Sequence, residues 1–165
     1  MKCSLTIQSI IVILLCSQLT ACADPPTSAT VVKTVLESWK LKKFDEIERY
    51  VAALSKRYPK RICSVLSSVF VDLTLHGDVD KARQKLELVG VGVAGANITM
   101  SDEFRRLFTK QSMMLSTYDA VLAAQGATKE DLKRNPEVSK VREFYGNKVP
   151  ELLELVGLAP DADLP

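Results

Sequence analysis

Val31-Val32-Lys33-Thr34-Val35-Leu36-Glu37-Ser38-Trp39 decides the fold class. Its apolar residues recur at steps of three and four, the period that gathers side chains on one flank of an α-helix. No region of the chain alternates convincingly with the two-residue period of a half-buried strand. After a polar break at residues 40–43, Phe44-Asp45-Glu46-Ile47 opens a second helix through Tyr50, Val51 and Leu54 to about Tyr58, where Pro59 stops it. A third, about Arg61 to Leu75, carries Ile62, Val65, Leu66, Val69 and Phe70. His76-Gly77-Asp78 reads as a turn, and a fourth helix from Asp80 to Val89 turns Ala82, Leu86 and Val89 inward.

Beyond Val89 the signals change. Gly90, Gly92 and Gly95 fall within a ten-residue apolar stretch, each weakening a helix by roughly 1 kcal/mol relative to Ala. That stretch reads either as a tightly packed helix or as an apolar connector. Ser101-Asp102-Glu103 then caps a helix with Phe104, Leu107, Phe108, Met113, Met114, Leu115 and Tyr118, expected to end near Gln125-Gly126. A short helix from about Thr128, one from Asn135-Pro136 to Gly146, and one from Pro150 to Gly157 follow. Residues 158–165 read as a flexible tail. The expected architecture is all-α, a single domain over 30–157 built from antiparallel helical hairpins and completed by C-terminal helices.

The first four helices form two similar hairpins. Lys43-Phe44-Asp45-Glu46-Ile47 and Gly77-Asp78-Val79-Asp80-Lys81-Ala82 place equivalent apolar positions 35 residues apart, Phe44 with Val79 and Ile47 with Ala82. Val51 and Leu54 likewise correspond to Leu86 and Val89. In these turns the chain resembles tetratricopeptide repeats, whose period is about 34 residues. Pro59, fifteen residues after Phe44, matches the proline that closes that family's second helix. Val35 and Phe70 stand where the family has a small residue, and Ile47 stands for its Ala, so the helices of each pair are expected further apart. The resemblance implies a helical protein-binding scaffold.

The N-terminal end has a different logic. Met1-Lys2, an apolar core from Leu5 to Leu15 and small residues at the exit have the order of an export signal. The unbroken apolar run Ile10 to Cys16 is seven residues, against the ~20 that a membrane-crossing helix needs. Leu19-Thr20-Ala21-Cys22 resembles the lipobox of bacterial lipoproteins, which implies lipidation of Cys22 and anchorage by acyl chains. Ala23, rather than Asp, resembles an outer-membrane address. Ala21-Cys22-Ala23 also fits ordinary signal cleavage after Ala23, which would yield a soluble periplasmic or secreted product. The expected organisation is signal peptide 1–21, tether 22–29 with Pro25 and Pro26, then the domain.

Removing residues 1–21 takes away Lys2 and lowers the formal charge from +2 to +1. That balance gives nucleic acid no dense basic face to bind. Lys56, Arg57, Lys60 and Arg61 do cluster around Pro59, as a solvated helix end or as a patch for an acidic partner. Trp39 is either a core residue or part of a binding groove. Of four cysteines only Cys63 would remain beside the anchor, so no intrachain disulfide is expected. The single histidine, His76, and Cys63 do not make a metal set or a nucleophilic pair. The acidic pairs fall at helix starts, where carboxylates favour the positive end of the helix. No cofactor is implied, and the chain is expected not to be an enzyme. The reading is an envelope-anchored lipoprotein that binds another protein, either an immunity protein against a periplasm-acting toxin or an adaptor for envelope machinery. A peptidoglycan- or lipid-directed carrier or enzyme is the competing class.

Overall fold

A computed structural model describes residues 24–124 and 137–165. The expected signal peptide, Cys22 and the helix from Thr128 lie outside the described residues. The fold is all-α. The helices are α1 (Ser28–Lys40), α2 (Phe44–Arg57), α3 (Ile62–Val71), α4 (Val79–Gly95), α5 (Asp102–Ala124), α6 (Glu137–Gly146) and α7 (Val149–Gly157). Four of the starts have a local cause. The side-chain oxygens of Thr27, Asp78 and Ser101 accept the backbone N–H of Thr30, Lys81 and Phe104 at 3.3, 3.0 and 3.1 Å. Pro150 lies in the first turn of α7, where its missing N–H is no loss.

Helix α3 is the centre. Every residue from Ile62 to Val71 except Ser68 is buried, and the helix packs against α1, α2, α4 and α7. A helix that is apolar nearly all round has no solvent face, so it must be enclosed. Ser67 donates to the Cys63 carbonyl at 2.6 Å, and just beyond the helix Thr74 donates to the Phe70 carbonyl at 2.7 Å, while Ser64 Oγ is buried with no partner among the described residues. Trp39 of α1 sits edge-on to Phe70, with centroids 5.6 Å apart, and to Phe44 at 5.1 Å. After Val71 the backbone widens into a π-helical turn, Asp72–His76, closed by Gly77 in the left-handed region at φ 66°. Helix α6 packs on this turn, and α5 rests on α4 and α7.

The closing segment is not the loose tail that its short polar sequence suggests. Helix α3 has no side-chain cap, and the tail supplies the missing acceptor. The Ile62 N–H donates to the Ala162 carbonyl at 3.1 Å, and the Leu164 N–H donates to the Lys60 carbonyl at 2.7 Å. Arg61 reaches across to Asp161 and Asp163 at 3.5 and 3.6 Å. The expected tether is also shorter than its reading. Ser28 begins α1, is buried, donates from Oγ to the Ala159 carbonyl at 2.9 Å and from its N–H to Asp161 at 3.2 Å. The tail thus joins the start of α1 to the start of α3.

The glycine-rich stretch is the last part of α4, which runs to Gly95 and not only to Val89. Its purpose follows from Leu164, which is buried over Gly92. A Cβ at residue 92 would lie 2.6 Å from Leu164 Cδ2, whereas one at Gly95 would meet nothing within 4 Å. Gly92→Val should therefore destabilise the fold by about 1–3 kcal/mol through overpacking. Gly95→Ala should be neutral or stabilising by up to about 1 kcal/mol. Thermal unfolding of the two variants measures the contrast, and equal midpoints would dissociate the glycine from the tail.

Candidate functional site

The most concentrated polar chemistry surrounds the π-helical turn. Lys85 of α4 donates from Nζ to both Ser68 Oγ and Asp72 Oδ2, while His76 Nε2 lies 2.8 Å from Glu48 of α2 and its Nδ1 3.9 Å from Asp72. Loss of water raises the Asp72 carboxyl above the usual carboxylate range, and the Lys85 ammonium pulls it back. A serine beside a lysine resembles a nucleophile and base, but an ammonium held by a carboxylate is a donor and cannot accept the serine proton. The group instead ties α2, α3 and α4 together around a buried turn. Cys63 is fully buried, and burial pushes its thiol up, away from the reactive thiolate. Among the described residues no group of three or more His, Cys, Asp or Glu could hold a metal ion.

The residues singled out in the sequence scatter. Trp39 is half-buried between Phe44 and Phe70, packed into the core side of α1. Lys56 and Lys60 are exposed, and Arg57 stacks over the Tyr58 ring at 5.5 Å. Arg61 does not join them at the surface, because only 13% of its side chain is exposed and both tail aspartates hold it. The cluster is not part of the groove that lies along α5.

That groove runs where α5 faces α6. It has a volume of about 580 Å³, an apolar floor of Met113, Met114, Tyr118 and Phe144, and the cations Arg106 and Lys110 toward one end, with two threonines between. Met113 is 64% exposed and Phe144 44%, and both line this one groove. The opposite face of α5 explains why they point outward: Phe104, Leu107, Gln111 and Leu115 form its buried stripe. Lys110 pairs with Glu151 of α7 at 2.7 Å, tying α5 down beside the groove and holding the Glu151 carboxyl below its ordinary range. Among the described residues no carboxylate lines the groove itself.

Beneath it the packing is imperfect. Gln111 is 1% exposed, and neither its amide nitrogen nor its oxygen finds a partner among the described residues. The Tyr145 hydroxyl of α6 is also buried without one, and loss of water raises its phenol far above the ordinary range, with Tyr118 acting in the same direction. Buried polar groups left unpaired cost about 1–3 kcal/mol each. Gln111 was missed in reading the sequence, although its place four residues after Leu107 and four before Leu115 marks it as a polar side chain in the apolar register.

Two outcomes follow. Gln111→Leu should stabilise the isolated protein by about 1 kcal/mol or more, seen as a higher denaturation midpoint; a fall would mean that the amide is satisfied. Because the Glu151 carboxyl is depressed in the folded state, its pair with Lys110 stabilises above the unfolded carboxylate pKa and is lost as pH falls through the lower folded value. As a surface pair its contribution is under about 1 kcal/mol. Glu151→Gln should be slightly less stable than the parent at neutral pH and should equal it in acid, and a constant gap across pH would remove the pair as its cause.

Comparison of the chain with protein-family models, with curated proteins and with solved structures finds no match.

Proposed function

We propose that this chain is an envelope-anchored lipoprotein whose helical domain binds another protein and carries out no catalysis of its own. The observation that carries the reading is the exposed apolar groove of α5 and α6. A protein in water leaves such a surface uncovered chiefly where something docks on it. Flexible methionine side chains suit a surface that must fit a partner. The lipobox-like Leu19-Thr20-Ala21-Cys22 supports lipidation of Cys22 and attachment to the periplasmic side of the outer membrane. None of the helices among the described residues is long and apolar enough to cross a membrane.

The finer architecture belongs to the same proposal. Helices α1–α2 and α3–α4 act as two tetratricopeptide-like hairpins, supported by the stop of α2 ahead of Pro59 and by the packing of each helix on the next. Helix α7 lies across α1 and α3, so this half of the molecule serves as the rigid support. Within the binding class, an immunity protein against a periplasm-acting toxin and an adaptor for envelope machinery are the two versions. A lipid- or peptidoglycan-directed carrier is the second reading, and the groove volume, within the range of small-ligand sites, is the observation on its side.

Radiolabelled palmitate should enter the protein and be lost in Cys22→Ser, which should leave the membrane fraction. Gentle affinity capture of the envelope-localised protein, with neighbouring genes co-expressed, should recover one stoichiometric protein, absent from a control lacking residues 1–21. A toxin or a machinery component separates the two versions. Bait alone, or bait with a co-purifying lipid, would overturn protein binding.

A further inference from the structure

We infer that the groove between α5 and α6 takes an amphipathic helix of the partner whose apolar face is bordered by carboxylates, an inference that rests on the protein-binding reading. The lining runs along α5 from Arg106 to Tyr118, three turns or roughly 18 Å at a rise of about 1.5 Å per residue. That is the reach of anchors spaced i, i+4, i+7 and i+11 on a docked helix, the spacing by which amphipathic helices fill grooves. Met113, Met114, Tyr118 and Phe144 supply the apolar floor for those anchors.

The charge of the site selects the border. Arg106 and Lys110 flank one end and the described lining holds no carboxylate, so a basic-bordered helix would bring like charges together. Both cations are held by acids outside the groove. Arg106 is 3.9 Å from Glu103, both well exposed, and Lys110 is 2.7 Å from Glu151. Surface pairs of this kind contribute about 0–1 kcal/mol, so a carboxylate delivered by a docked helix can share or replace them. The openness of the site selects a macromolecule. Small-molecule sites enclose about 70–90% of their ligand, whereas the 64% exposure of Met113 would leave an acyl chain wet along one flank. A helix brings its own polar back to that side.

The test uses a fluorescent peptide of about 18 residues with leucines at the four anchor positions and glutamates on both borders, and a twin with lysines in place of the glutamates. Anisotropy titration with the protein as isolated should show the acidic peptide binding about tenfold tighter than its twin, or better. Met113→Asp should weaken it by about tenfold or more, and Arg106→Glu with Lys110→Glu should reverse the preference. These side chains are exposed, and unchanged circular dichroism verifies that the variants fold. Equal binding of the twins, no binding, or indifference to Met113→Asp would overturn the inference. So would displacement of the acidic peptide by stoichiometric dodecanoate, which assigns the groove to acyl chains, or self-association abolished by Met113→Asp, which assigns it to a second copy. A captured partner whose recovery is indifferent to Met113→Asp overturns this site and leaves the protein-binding reading standing.

Discussion

Everything in this fold answers to the burial of α3. A helix with nine buried residues among its ten cannot lie at a surface, so four other helices must surround it. Enclosure creates a second demand. The first N–H groups of any helix lack partners within it, and α3 has no capping side chain. The chain meets that demand from its far end, where Ala162 accepts the Ile62 N–H and Arg61 holds Asp161 and Asp163. Gly92 leaves the space that Leu164 fills, and Ser28 fastens the start of α1 to the same segment. One apolar helix thus accounts for the order of most of the molecule.

The other side carries the groove. Helix α5 is long, buries one narrow stripe, and leaves an apolar flank facing α6 that nothing among the described residues covers. Its buried stripe contains a glutamine, and the facing helix a tyrosine hydroxyl, that find no partner among the described residues. A protein optimised only for stability would have replaced both, since an apolar side chain of similar size avoids the desolvation cost. Local departures from consistent packing cluster where function competes with stability. An enclosed α3 beside an open groove on α5 suits a protein that presents a docking site on a packed support.

The helices were legible because their apolar residues keep one period. Val31 and Val35, Val51 and Leu54, Ile62 and Leu66, and Leu152 and Leu155 are all buried where that period put them. What was not legible depends on contacts between distant parts of the chain. Asp161-Ala162-Asp163-Leu164 has no period of its own, and its order comes from Arg61, a hundred residues earlier. That same contact draws Arg61 out of the basic cluster to which its neighbours assign it. Gly92 weakens a helix by propensity and is retained because of a leucine that local sequence cannot relate to it. The exposure of Met113 was not legible either, because a two-faced helix shows which flank is covered only once its neighbours are placed. Gln111 was the exception, a signal that could have been read.

Hydrogen–deuterium exchange of the protein, alone and with its captured partner, tests the central claim most directly. The account expects partner-induced protection along residues 106–118 and 139–146, with the amides of α3 slow in both states. Protection confined to the Lys56–Lys60 surface, with α5 unchanged, would contradict it.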